Sequence, residues 1–443
     1  MLTITNITSN YLASVVQLSG VRRHSNADKL QCVKIFGNNV ITGLTAKDGD
    51  FYVYFPAQSA INREYLSWSN SFDDPMLNAD QRVKGYFGKN GKVRPIKLRG
   101  EQSCGYIIPV VDLENWLASR GIKVNLAEHV GEDFDTIKGI LLCEKAQVRT
   151  PQVARPAKKQ QKDRRWNRVV AENFYFHDST PHLGRNIHLL EPDHNIAILV
   201  KYHGTSAHTR KILCRRRLKW HERLLEKIFK FKIDTKYYDV IYGSREVIKN
   251  RFEDTKSSGG FYKVDLWGHA TEKVKDCLRE GLTIFYEVVG YLPDSDKMIQ
   301  KHYDYGCNPG EYKILVYRMT YTSPGGDVYE MTWPQIKAFC RDNGLEHVRE
   351  LYYGPAKDLF PDLDPQQHWN KEFLARLSDK YLERQCDLCK NDVPAEGITL
   401  RIDDGRNWRV FKHKSFAFTK KESEQADAGE VDIETEETEK HEE

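Results

Sequence analysis

The chain has 443 residues, 40% of them hydrophobic and 29% charged, enough for two or three units with cores of their own. It contains no run of 18 apolar residues and no basic segment leading into an apolar one, so neither a transmembrane helix nor a secretory signal is expected. The net charge of +4 hides a division: residues 421–443 hold eleven acidic and two basic side chains, so residues 1–420 carry +13, a body suited to a polyanion. Nine cysteines in such a chain fit free thiols in the cytoplasm or another reducing intracellular compartment.

In chain order, residues 1–143 read as short strands, among them QCVKIFG (31–37), NNVITGL (38–44) and DFYVYFP (50–56), broken by Gly and Asn-Asp clusters. Residues 144–168 hold two prolines and nine Lys/Arg and read as a basic linker able to touch phosphates. From 169 to 420 the pattern mixes strands and helices. RRRLKWHERLLEKIFKF (215–231) has apolar residues at helical spacing and a basic outer face. Thr332, Pro334 and Gly344 punctuate a second helix as cap, early proline and terminal glycine. NKEFLARLSDKYLER (370–384) reads as a third. The acidic stretch 421–443 reads as a disordered tail.

The chemistry-bearing residues begin at IAILVKYHGTS (196–206), an apolar strand that ends in Lys201-Tyr202-His203-Gly204. A lysine at the rim of a buried strand, followed by a glycine turn, can aim one amine into a pocket. To attack phosphorus that amine must be neutral, and its ordinary pKa is about 10.4. Lowering it by roughly 3 units takes about 4 kcal/mol of differential interaction, which cations and a dry pocket can supply. Glu287 sits inside the apolar run TIFYEVVGY, where a carboxylate is costly unless bonded. Glu396 opens EGITLR, next to a glycine that permits close backbone approach, and could hold a hard metal ion. Lys412 and Lys414 are two apart in the strand-like RVFKHKSFAF, so both project from one face. Two ammoniums there suit a phosphate placed between them.

These motifs, in this order over residues 195–418, resemble the covalent nucleotidyltransferase superfamily, and within it the ATP-dependent RNA ligases. The resemblance implies Lys201 as the nucleophile that forms lysyl-AMP. It implies His203, Gly204, Glu287, Glu396, Lys412 and Lys414 in the nucleotide site, with Glu396 also serving the metal. Gly243-Ser244-Arg245 is similar to the segment whose arginine meets the nucleotide, and Tyr317 in KILVYRMT to the ring that stacks on the base. The implied cofactors are ATP and Mg²⁺ or Mn²⁺. The implied partner is RNA or a nicked duplex with RNA ends; a monomer is expected and, for lack of a spanning segment, no membrane involvement.

HSNADKLQCVKIFG (24–37) and KVRPIKLRGEQSCGYIIP (92–109) resemble OB-fold domains that bind tRNA beside synthetases. An OB domain placed first resembles the family 5 RNA ligases. The implied fold is α+β: an N-terminal OB-fold β-barrel, then an ATP-grasp-like nucleotidyltransferase domain of antiparallel sheets with flanking helices. Two alternatives are a GTP-using capping-type enzyme and a non-catalytic RNA-binding protein on a ligase fold. GYFGKNGKV (85–93) imitates a phosphate-binding loop but has the wrong glycine spacing. Cys386 and Cys389 form one CxxC, for which Cys340, His347 and His413 are conceivable further zinc ligands.

Overall fold

The computed structural model describes residues 1–6, 10–146, 166–177, 179–252, 262, 264–366, 368–405 and 408–430. Most of the expected basic linker (147–165) and of the expected tail (431–443) lies outside these residues. The fold mixes α and β, and among the described residues all strand pairs within its sheets are antiparallel.

The three expected N-terminal strands form at Leu30–Ile35, Asn38–Gly43 and Phe51–Phe55. Among the described residues the strands of this part fall into separate small sheets rather than one closed barrel. Several are only two or three residues long, too short to carry a ladder around a ring. The two segments singled out in the sequence do meet. His24 Nε2 lies 3.1 Å from the Leu98 carbonyl, Asn26 donates to the Arg99 carbonyl at 3.1 Å, and the Ser25 amide donates to Glu101 at 3.1 Å. The phosphate-loop imitation at 85–93 has no strand before it and no helix after it.

The C-terminal part is built on two sheets. The first has four strands, in the order Glu350–Pro355 (β7), Asn195–Lys201 (β1), Gly397–Ile402 (β8) and Arg409–Lys414 (β9). The second has five, in the order Lys236–Ser244 (β3), Thr205–Arg215 (β2), Leu282–Gly290 (β4), Tyr312–Thr322 (β5) and Val328–Glu330 (β6). Strand β1 is apolar at every interior position because both its faces are covered. Ile196 and Ile198 join the core beneath Phe373, Leu374 and Leu377, whereas Ala197 and Leu199 join the core shared with Tyr286, Val288 and Ile314 of the facing sheet.

The helices are Trp220–Phe229 (α1), Trp333–Asp342 (α2), Trp369–Tyr381 (α3) and Phe416–Asp427 (α4), with shorter ones between. Helix α2 starts as its sequence requires: the Thr332 amide donates to Gln335 Oε1 at 2.8 Å, and Gly344 follows with φ +65°. Two expectations fail. The residues of α1 were expected to turn an apolar face inward, yet none is buried. Residues 421–427 were expected in a disordered tail, yet they belong to α4. Ser415 caps that helix, Phe416 and Phe418 anchor it in the core, and Asp427 pairs with Lys92 and Arg94 at 2.9 and 3.0 Å. Acidic composition suggested a solvated tail, but specific cations hold this stretch in place.

Candidate active site

Strand register places the key lysines. Lys201 at the end of β1 is opposite Gly397 in β8, and Gly397 is opposite Lys414 in β9. A side chain at the central position has no room: a Cβ on Gly397 would meet the His413 carbonyl at 2.1 Å, and its φ of +150° suits glycine. Glu396, one residue earlier and buried, fills the gap with its carboxylate. Its Oε1 lies 2.7 Å from Lys201 Nζ and 3.7 Å from Lys414 Nζ, and its Oε2 has no hydrogen-bond partner. A buried carboxylate oxygen left unbonded is costly, and it fits a site that a hard cation completes. Among the described residues no group of three or more His, Cys, Asp or Glu side chains could hold a metal. Such a cation would therefore share Glu396 with oxygens of a ligand or water. The same observation disposes of the zinc cluster. His413 instead bonds Ser378 Oγ at 3.1 Å, Cys340 is buried in the core and His347 bonds the Val348 carbonyl.

The facing sheet contributes the other wall. Glu287 in β4 accepts from the Gly204 amide at 3.0 Å, which ties it to the turn that follows Lys201. Gly204 is required there, since a Cβ would come within 2.4 Å of the Val288 carbonyl. Tyr305 clamps the same turn: its hydroxyl bonds both the amide and the carbonyl of His203 at 2.8 Å. The His203 ring packs edge-on against Phe418 of α4, with centroids 4.9 Å apart. Tyr317 in β5 reaches Ser206 Oγ with its hydroxyl at 2.9 Å, and burial followed by the charge of Glu287 pushes that hydroxyl's pKa up.

Between the sheets lies a cleft of about 900 Å³, lined by Lys201, Arg245, Glu287, Tyr317, Glu396, Lys412 and Lys414 together with other residues. Seven of the nine residues expected from the sequence thus converge on it. His203 and Gly204 do not line it; they build the turn behind Lys201. Counting Arg401, five cations and two carboxylates face the cleft, a balance that suits a phosphorylated ligand.

Three further residues were not singled out in the sequence. Trp408 and His177 line the cleft with ring centroids 5.3 Å apart, and His177 is 5.5 Å from Tyr317. Burial, and then the charges of Arg318 and Arg245, hold His177 well below its ordinary pKa, so a neutral ring accepts from Arg318 at 2.8 Å. Nothing in the irregular stretch around His177 signals this position. Trp408 carried a weak signal, four residues before Lys412. The third is Glu422 of α4, which pairs with Lys414 at 2.8 Å and accepts from Gln58 of the N-terminal part at 2.7 Å. Burial raises the Glu422 carboxyl, and Lys414 outweighs that and holds it at about 2. Burial likewise lowers the Lys414 ammonium, and Glu422 and Glu396 outweigh that and push it up.

Neither the family models nor the curated proteins contain a match to this chain. Solved structures do. Naegleria gruberi RNA ligase with PPi superposes at a TM-score of 0.53 and 16% identity, over 94% of this chain and 99% of that one. A mutant of that ligase with ATP and Mn gives 0.53 and 15%, over 93% and 99%. Another mutant, with AMP and Mn, gives 0.52 and 16%, over 93% and 98%. The chain has an RNA ligase fold. The likeness extends over nearly the whole of both chains, the N-terminal part included, at an identity low enough that it speaks for the fold alone.

Proposed function

We propose that this protein is an ATP-dependent RNA ligase that joins 3′-OH and 5′-phosphate ends through a lysyl-AMP intermediate. The observation that carries the reading is the placement of Lys201 Nζ 2.7 Å from the buried Glu396, in a cleft shared with Lys412, Lys414 and Arg245. The RNA ligase fold and the ATP and Mn of the similar structures support it.

In the first step Lys201 Nζ bonds to the α-phosphorus of ATP, and the bond from that phosphorus to the bridging oxygen breaks, releasing pyrophosphate. Glu396, at 2.7 Å, is placed to take the proton that the amine must lose. Lys412, Lys414 and Arg245 face the charge that builds on the phosphoryl oxygens, and fixed cations in a cleft need no reorganisation to do so. In the second step an oxygen of the RNA 5′-phosphate attacks the same phosphorus and frees Lys201. In the third, the 3′-OH attacks the activated 5′-phosphorus and AMP departs. Catalysis is then mainly positioning and charge neutralisation. Glu396 Oε2 would hold Mg²⁺ or Mn²⁺, which when bound neutralises phosphate charge as a Lewis acid. Tyr317, His177 and Trp408 form an aromatic wall suited to the adenine ring.

Residues 1–143 would act as an OB-type polynucleotide clamp, with the basic linker 144–168 against the strand, in the arrangement of the family 5 RNA ligases. Residues 169–420 would form the nucleotidyltransferase domain, extended by α4. RNA or nick repair is the corresponding role, carried out by a monomer. The test is a sealing assay on 5′-labelled RNA and on a nicked duplex with a ribose 3′ end. Adenylylated 5′ ends and joined product are expected, and neither with Lys201→Ala. Joined product at the wild-type level from Lys201→Ala would overturn the reading.

A further inference from the structure

Helix α1 is the tip of the β2–β3 hairpin, and its apolar side faces outward. Trp220 is 78% exposed, Leu224 50%, Leu225 40%, Ile228 59% and Phe229 64%, with Phe231 just beyond at 52%. At 3.6 residues per turn the five helical residues fall on one half of the cylinder. By contrast α2 and α3, of comparable length, bury Trp333, Ile336 and Cys340, and Trp369, Phe373 and Leu377. Isolated apolar side chains on a surface are ordinary, but a contiguous apolar face on a protruding helix marks a contact surface.

Charge narrows the occupant. Residues 215–236 hold nine Lys/Arg against three acidic residues. All three acids are engaged locally. Glu222 is forked by Arg216 at 2.6 and 2.7 Å, Glu226 accepts from the Ile233 amide at 2.8 Å, and Asp234 from the Lys236 amide at 2.9 Å. The tip therefore presents aromatic and aliphatic residues flanked by cations at both ends. A second copy of so basic a tip would be repelled. A nucleic acid would use the cations and aromatic rings but gain nothing from Leu224, Leu225 and Ile228. An anionic lipid surface uses every part: apolar residues entering the acyl boundary, Trp220 at the interface, and Lys and Arg at the headgroups.

We propose that α1 docks this protein on anionic membrane surfaces, lying in the interface without spanning it. The expectation of no membrane involvement rested on the lack of a spanning segment, which does not bear on surface binding. This inference is independent of the ligase reading.

The experiment is co-sedimentation of the full chain with phosphatidylcholine vesicles and with vesicles of equal parts phosphatidylcholine and phosphatidylserine. Binding is expected to the second only, weakening with added salt. The triple variant Leu224→Ser, Ile228→Ser, Phe229→Ser should lose it, and Lys227→Glu with Lys230→Glu should weaken it roughly tenfold or more. All these side chains are exposed or on the helix surface, so melting temperatures should stay at the wild-type value, and Trp220→Phe should remove a vesicle-induced blue shift. Absence of binding to either vesicle, or undiminished binding by the triple variant, would overturn the proposal. So would a change in RNA affinity, or in binding to an acidic groove protein such as calmodulin, as the only effect of the triple variant.

Discussion

Lys201 and Lys414 stand on either side of Gly397 and reach the same oxygen of Glu396, at 2.7 and 3.7 Å. Two ammoniums this close are tolerated because one carboxylate lies between them. With Glu396→Gln the charge between them is lost, along with the oxygen offered to a cation. Adenylylation should fall roughly 100-fold or more, with a much weaker response to added Mn²⁺. Rates of adduct formation across a metal titration would measure this, and a wild-type rate would contradict the role given to Glu396.

Glu422 links Lys414 to Gln58 of the N-terminal part. Its carboxyl is held at about 2 against an ordinary 4.5. A depressed carboxylate stabilises the fold fully above its unfolded value and loses that contribution as pH falls through the folded one. The melting-temperature gap between wild type and Glu422→Gln should therefore be widest at neutral pH and shrink from about pH 4.5 down towards 2. A gap that is constant over this range would contradict the pairing.

The end of the chain gives a sharper truncation experiment than composition suggested. Removing 431–443 leaves α4, with Glu422 and Asp427, in place. Removing 421–443 takes away the partners of Lys414, Gln58, Lys92 and Arg94. The short cut should leave thermal stability unchanged, and the long one should lower it by several degrees and slow adenylylation. Equal effects of the two cuts would contradict the packing described for α4.

What the sequence made legible is instructive. Lys412 and Lys414 could be read as a pair because a strand fixes side-chain direction with a period of two, whereas Lys201, Glu287 and Glu396 stood out through motifs that resemble those of RNA ligases. His413 proves the rule from the other side: between two cleft-facing lysines it points away into a buried contact with Ser378. His177 and Glu422 were illegible because their roles come from tertiary contacts of an irregular segment and of an acidic helix. The α1 pattern was read correctly as an amphipathic helix. What covers an amphipathic face is not written in its period, and here no described residue does.

The aromatic wall has its own test. Loss of a ring that stacks on a base costs about 1–3 kcal/mol. Trp408→Ala should thus raise the ATP concentration for half-maximal adenylylation by roughly 5- to 150-fold while leaving the maximal rate within a few-fold. Tyr317→Phe, which keeps the ring and loses only the bond to Ser206, should do much less. Equal effects of the two variants would argue against stacking.

The central claim is that Lys201 becomes covalently adenylylated. Intact mass after incubation with ATP and Mg²⁺ or Mn²⁺, beside Lys201→Ala and a GTP control, tests it most directly. An AMP adduct is expected with ATP alone and not with Lys201→Ala. A GMP adduct would move the protein to the capping class. No adduct, even after pyrophosphate has stripped any AMP already bound and ATP is supplied again, would contradict the account and favour an RNA-binding protein on a ligase fold.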